Sequence, residues 1–300
     1  MLEKILVPLD GSNLSEAALG QAEELAWAFG SEVHLLGVCD CGADKQRRLM
    51  QGYLDQTAES LGRNTSETPL KIRATILDGD PAGRVIGYAF QERMGLLIVV
   101  SHGHSGIRPW TMGSTANRIV HGAPLPVLLL RAAAVKKKGG LRKSAFSKIL
   151  LPLDGSTAGE TALPYVLEVS ARLRSEVTLL SVVESGLRVH TIGGLDFIRF
   201  PEEQVRKMRQ EMSSSLDGAV ARFRDRGVEA RGRLSSGHAA DEIIKHAKEE
   251  GASLVAMSSH GKSGLQEWVF GSVSNKVLHA GKSHLLLVKP APTSAPSNPS

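Results

Sequence analysis

Val99-Val100-Ser101-His102-Gly103-His104-Ser105-Gly106, running on to Gly113-Ser114, is written a second time as Met257-Ser258-Ser259-His260-Gly261-Lys262-Ser263-Gly264, running on to Gly271-Ser272. In each copy an apolar run (Leu96 to Val100; Leu254 to Met257) stops at a Ser-His-Gly turn, and ten residues beyond that glycine a Gly-Ser pair opens a helix-like segment. The order is strand, phosphate-sized loop, helix start. The first N–H groups of a helix lack partners within it and carry partial positive charge, so glycines that admit a ligand, with a serine hydroxyl beside them, suit a phosphate. One such turn says little. Two copies, each preceded by the same distant partner motif, say much more.

That partner is Lys4-Ile-Leu-Val-Pro-Leu-Asp-Gly-Ser12, which matches Lys148-Ile-Leu-Leu-Pro-Leu-Asp-Gly-Ser156 at eight of nine positions, an offset of 144. Gly103 and Gly113 match Gly261 and Gly271 at an offset of 158, so the second copy carries 14 extra residues. They fall between its second strand and the Gly227 turn. Gly186, Gly193, Gly194 and Pro201 punctuate Ser185 to Pro201 and predict an irregular, mobile flap there.

Within each copy continuous apolar runs alternate with helical stripes, the pattern of a parallel sheet covered on both faces. Ile5 to Leu9 reads as a first strand, followed by a stripe of Ala18, Ala22, Leu25, Ala26 and Phe29, with Gly30 where a helix stops. Ala162, Val166, Val169 and Leu173 repeat that stripe. Five strands with helical crossovers per copy predict an α/β fold: two tandem doubly wound domains, each a five-stranded parallel sheet with helices on both faces. The expected boundaries are 1–131 and 148–289, with a linker at 132–147 and a disordered, Pro- and Ser-rich tail at 290–300.

Bulk properties agree with a two-domain globular chain. Its 300 residues are 42% hydrophobic, which suffices for ordinary cores. Met1-Leu2-Glu3-Lys4 passes directly into a strand without a leader, and no apolar stretch approaches the ~20 residues of a membrane span, so a cytoplasmic chain with no membrane partner is expected. Cys39 and Cys41 are too close for an unstrained bridge and read as reduced thiols. Nothing in the repeat demands them: Cys39-Asp40-Cys41 aligns with Val183-Glu184-Ser185. The net charge of +5 owes much to Lys136-Lys137-Lys138 in the linker, and aromatic residues do not interleave with basic ones, so nucleic acid is not an expected partner.

In open parallel sheets, ligands settle beyond the carboxyl ends of the strands. Asp10 and Asp154 stand at that end of strand one, and the Ser-His-Gly loops at that end of strand four. If those strands are neighbours, a carboxylate that accepts from a base amino group or a ribose hydroxyl shares a crevice with a phosphate loop. The expected ligand is an adenine nucleotide. Asp-Gly-Ser is also a good turn and cap sequence, and the loop beside it favours ligand contact. His102 and His260 read as shaping the turn and touching phosphate or a carbonyl. The pair His102 and His104 does not read as a metal site, because Lys262 replaces the second histidine in the other copy. Trp110 and Trp268 occupy equivalent places and read as packing under the loops.

On these motifs the chain resembles a tandem universal stress protein, from Lys4 to Arg131 and from Lys148 to Lys289. Nucleotide-binding members carry Gly, two residues, Gly, nine residues, then Gly-Ser or Gly-Thr. Both copies keep the second glycine, the gap and the Gly-Ser, whereas Val100 and Ser258 occupy the first glycine's place. The resemblance implies that Asp10 and Asp154 contact adenine, that Val38 and Val182 flank the base, and that Gly103, Gly113 and Ser114, with Gly261, Gly271 and Ser272, hold phosphates. It further implies the sheet order 3-2-1-4-5 and pairing through the last strand, hence an internal pseudo-dimer of the two halves, with a homodimer expected as well.

The copies are unequal. Val100 adds a branched side chain expected to restrict the backbone and crowd the ligand, whereas Ser258 is smaller and is expected to donate to phosphate. Ser274 joins Ser114 and Ser272 as a hydroxyl at a helix start, open to phosphorylation but primarily a cap, and all three are expected at the nucleotide site. Asp78 and Asp80 would repel a triphosphate in the first copy unless Mg or another divalent ion intervened. Tighter ATP binding in the C-terminal copy is therefore expected. The leading reading is a stress-response regulator whose nucleotide occupancy changes how halves or chains associate. A slow ATPase or autophosphorylating enzyme on the same site, and a protein-interaction module without nucleotide, stay open beside it. No nucleophile with a base beside it is apparent, and neither the P-loop nor the dinucleotide fingerprint is present.

Overall fold

Lys4–Leu9 (β1) buries Ile5, Leu6, Val7 and Leu9 on both faces, as a central parallel strand must. The chain is described by a computed structural model over residues 1–39, 44–63, 69–102, 112–132, 144–191, 194–259 and 270–289. After β1, a short 3-10 turn at Ser15–Ala18 leads into α1 (Leu19–Phe29), which turns Ala22, Leu25 and Ala26 inward and ends at Gly30 in the left-handed conformation, φ 68°. There follow β2 (Glu32–Cys39), α2 (Asp44–Arg63), β3 (Ile72–Asp78), α3 (Pro81–Gln91), β4 (Leu96–Val100), α4 (Ser114–Gly122) and β5 (Val127–Leu130).

The second unit repeats the series as β6 (Lys148–Pro152), a 3-10 turn at Gly159–Ala162, α5 (Leu163–Leu173), β7 (Glu176–Val183), the inserted β8 (Gly186–Thr191) and β9 (Gly194–Arg199), α6 (Glu202–Arg224), β10 (Ala230–Ser236), α7 (Ala239–Glu249), β11 (Leu254–Ser258), α8 (Ser272–Ala280) and β12 (His284–Val288). The strands run β10-β7-β6-β11-β12-β5-β4-β1-β2-β3 in one ten-stranded sheet. Each half has the order 3-2-1-4-5 and is parallel throughout.

The halves meet at the one antiparallel seam, with Leu285 opposite Leu129, Leu286 opposite Leu128 and Leu287 opposite Val127. Two apolar layers, one on each face of the sheet, run across that seam unbroken. Basic residues at the strand ends complete it. Arg131 Nη2 donates to the Leu278 carbonyl of α8 at 2.6 Å, and the equivalent Lys289 Nζ donates to the His121 carbonyl of α4 at 2.6 Å, so each unit tops the other's helix C-terminus with a cation. Burial pushes the Lys289 ammonium down to about 8 and Arg131 down to about 10. The last-strand edges are thus occupied within the chain, and β3 and β10 form the outer edges of the sheet.

One expectation is corrected. The insert is not irregular: β8 and β9 pair antiparallel, Gly186 opposite Arg199 and Thr191 opposite Gly194. The signal was present in the alternation Leu187-Arg188-Val189-His190 and in the Gly193-Gly194 pair, which suit a hairpin. Among the described residues no helix is long and apolar enough to cross a membrane.

Candidate functional site

Each unit's first strand ends in the same turn. Asp154 Oδ1 accepts from the Ser156 N–H at 2.9 Å and from Ser156 Oγ at 2.7 Å, while Ser156 Oγ accepts from the Gly159 N–H at 2.9 Å. Asp10 Oδ1 accepts from Ser12 N–H and Oγ at 3.0 and 2.6 Å. Gly11 and Gly155, at φ 78° and 75°, take the left-handed position that this turn demands. The turn-forming role of these aspartates is therefore present in the structure, through one carboxylate oxygen. The side chains differ in setting: Asp10 is exposed, whereas Asp154 is half-buried. A Cβ added to Gly159 would collide with Asp154 Oδ1. In the first unit Ser15 fills the equivalent place, with Ser15 Oγ accepting from the Asp10 N–H at 3.4 Å.

The fourth strands also end alike. The Gly113 N–H donates to Ser101 O at 2.8 Å and the Gly271 N–H to Ser259 O at 3.0 Å, folding the helix start back onto the strand. Gly113 and Gly271 are the N-caps of α4 and α8, and among the described residues no side chain caps either helix. Gly113 has φ −57°, open to any residue, and a Cβ there would come no closer than 3.4 Å to Ser101 O. Neither backbone strain nor crowding accounts for that glycine. Ser114 and Ser272 are exposed at the first helical position. Ser274 is buried, and its hydroxyl points at Ser259 O (2.8 Å) and Gly271 O (2.9 Å), which commits its proton to the turn. His102 Nδ1 lies 3.1 Å from Ser101 Oγ. Gly103, His260 and Gly261 lie outside the described residues, as do Trp110 and Trp268.

In the second unit these pieces enclose a cavity of about 580 Å³, lined by Asp154, Val182, Ser258, Gly271, Ser272 and Ser274, within the ordinary range of small-molecule sites. Six of the residues singled out by sequence thus share one cavity. Sequence reasoning passed over Glu184, Phe200, Met208, Met212 and Ile243, which also line it. Glu184 Oε1 accepts from the Ala239 N–H at 3.0 Å and so caps α7. Met208 and Met212, four apart on a helix otherwise polar at that stretch, were the available signal. In the first unit Asp10, Val38, His102, Gly113 and Ser114 lie at the same carboxyl end of β1, β2 and β4 and at the start of α4, with β1 between the other two strands.

The two carboxylates expected to repel a triphosphate in the first copy are both paired. Asp80 is the N-cap of α3, and both its oxygens are held by Arg118 at 2.6 and 2.8 Å, which keeps its carboxyl below the usual range. Asp78 pairs with Arg47. Both extra carboxylates thus arrive neutralised. Among the described residues no group of three or more His, Cys, Asp or Glu side chains could hold a metal ion.

The family model of the Universal stress protein family matches residues 1–131 and again 145–289. A universal stress protein of Bacillus subtilis is 32% identical over 149 residues, 48% of this chain and 99% of that protein. One from Mycolicibacterium smegmatis is 23% identical over 274 residues, 89% of this chain and 83% of its own. A solved structure from Pseudomonas aeruginosa, described as a universal stress protein, superposes with a TM-score of 0.70 at 18% identity, covering 97% of this chain and 94% of that one, a likeness of fold. The chain belongs to the universal stress protein family and carries two of its units in tandem.

Proposed function

We propose that the protein is an adenine-nucleotide-binding regulator of the stress response, acting in the cytoplasm, with ATP as the ligand of the second unit and occupancy modulating how the two halves, or two chains, associate. The observation that carries the reading is the second cavity. A half-buried carboxylate, Asp154, and the Gly271-Ser272 start of α8 line one space of nucleotide size. The carboxylate suits a base amino group or ribose hydroxyl, and the helix start suits phosphate. The first unit is read as the weaker site, because Asp10 is the more exposed of the two carboxylates and Val100 stands where the second unit has the cavity-lining Ser258.

Because β5 and β12 pair with each other, any homodimer of whole chains uses a surface other than the last strands. The test is mass spectrometry of small molecules released by denaturing the purified chain, followed by ATP titration of the stripped wild type and of Asp154→Ala. Release of an adenine compound and a loss of affinity on the order of tenfold or more in the variant are expected. A stripped chain that binds no ATP ends the proposal.

A further inference from the structure

Part of the second cavity's wall comes from the insert between β7 and α6, whereas Met208 and Met212 of α6 stand, at the offset of 158, where α2 has Met50 and Leu54. Residues 40–43 connect β2 to α2, whereas residues 184–201 connect β7 to α6, and the difference is taken up by the β8–β9 hairpin. The base of that hairpin closes where the Phe200 N–H donates to Ser185 O at 2.9 Å. The chain then turns at Pro201 into α6. This brings the half-buried Phe200 to the cavity beside Met208 and Met212 of α6.

Sheet order fixes where this wall stands. β6, whose end carries Asp154, lies between β7 and β11. α6 packs on β7 and β10, so Phe200, Met208 and Met212 are on the β7 side of Asp154, and the start of α8 is on the β11 side. The cavity therefore carries the apolar, polarizable Phe200, Met208 and Met212 on its β7 side, where Glu184 is engaged with the Ala239 N–H, and the start of α8 on the β11 side, with Asp154 between. A ligand with a flat apolar end and an anionic end is sorted along that axis.

We infer that Phe200, flanked by Met208 and Met212, is the base-selecting wall of the second site, taking the face of a purine and giving that unit a preference for purine over pyrimidine nucleotides. The inference rests on reading the cavity as a nucleotide site. A phenyl ring and two thioethers gain from a stacked ring in proportion to the area covered, and a two-ring purine covers more than a one-ring pyrimidine. Adenine's amino group then has Asp154 as its acceptor. Residues 40–43 are too few to supply such a hairpin to the first unit, so binding there is unaffected by changes at residue 200.

The full chain is titrated calorimetrically with ATP, CTP and inorganic tripolyphosphate. Wild type is expected to prefer ATP to CTP. Phe200→Ala is expected to weaken ATP on the order of tenfold, to bring the ATP-to-CTP ratio toward unity, and to leave tripolyphosphate unchanged. Phe200→Tyr is expected to retain the wild-type ratio. Should Phe200→Ala fail to fold, Phe200→Leu keeps the apolar bulk without the flat ring and is read by the same ratio. An unaltered ratio in a folded Phe200→Ala or Phe200→Leu chain, an equal loss for tripolyphosphate, or a wild type without purine preference overturns the inference alone. A wild type that binds neither nucleotide overturns the nucleotide reading and this inference with it.

Discussion

The ring of Phe270 lies 4.4 Å from the ring of His121, inclined at 46°, so the residue just before the Gly271 cap of α8 rests on the last turn of the other unit's α4. Lys289 reinforces the contact, its ammonium 5.7 Å from the Phe270 ring and 2.6 Å from the His121 carbonyl. Anything that orders the start of α8 bears directly on the first unit. ATP is expected to slow amide exchange at residues 117–122 of α4 by a factor of about 5 or more, and Phe270→Ala to abolish that remote effect while retaining ATP affinity. Hydrogen-exchange mass spectrometry reads both. Equal protection in the two proteins would mean that the seam does not report occupancy.

Asp154 packs against Gly159, where an added Cβ would meet its carboxylate. With no Cβ at that position the carboxylate tucks beside the cavity, whereas Ser15 fills the same place in the first unit and Asp10 stands exposed. Gly159→Ser is therefore expected to displace Asp154 and to weaken ATP binding on the order of tenfold, the worth of one hydrogen bond to a charged group. Ser15→Gly is expected to act oppositely and to raise the measured stoichiometry of ATP per chain. Calorimetric titration gives affinity and stoichiometry together. Wild-type affinity in Gly159→Ser would show that the placement of Asp154 is not what holds the ligand.

Much of this architecture was legible because repetition is a sequence property. The near-identity of Lys4–Ser12 and Lys148–Ser156 located both first strands, and the paired Gly-Ser sequences located the starts of α4 and α8. What escaped depends on contacts between distant residues. Arg118 lies 38 residues from Asp80, and nothing in local composition announces that it neutralises that carboxylate. The hairpin is masked in the sequence by Gly186, Gly193 and Gly194, which punctuate an alternation only four residues long at Leu187-Arg188-Val189-His190. The room beside Asp154 comes from one missing Cβ five residues downstream, which no periodicity encodes. Gly103, His260 and Gly261, central to the reading of the loops, lie outside the described residues.

Helix endings supply a stability test. α1 ends at Gly30 with φ 68°, and α5 ends at the equivalent Arg174 with φ 53° and ψ 47°, a left-handed conformation that costs a residue bearing a Cβ. Arg174 is exposed, so its side chain gives up little packing when removed. Arg174→Gly is expected to stabilise the chain by about 0.5–1 kcal/mol, the relief of strain less the extra entropy of an unfolded glycine. Gly30→Ala is expected to cost about 1 kcal/mol by the same reasoning. Urea midpoints measure both, and a destabilised Arg174→Gly chain would contradict the strain argument.

The seam also carries a pH dependence, centred on His284. Its Nδ1 accepts the Arg131 backbone N–H at 3.0 Å, which requires that nitrogen to be unprotonated. Burial first, and the nearby Arg131 guanidinium second, push the imidazole down to about 4 from its ordinary 6.5. Burial, His121 and Arg131 move His279 in the same direction. The folded imidazole therefore resists a proton that the unfolded chain accepts. The stabilising contribution is complete above the unfolded value and is lost as pH falls from there through the folded one. For His284 alone the loss reaches about 2 kcal/mol near pH 5. His284→Asn keeps an acceptor for the Arg131 N–H and removes the titration. Urea unfolding near pH 7.5 and near pH 5 is expected to show a smaller acid loss in that variant than in wild type, by roughly 1–2 kcal/mol. Identical acid losses in the two proteins would remove His284 from the account and leave the acid sensitivity of the seam to its other histidines.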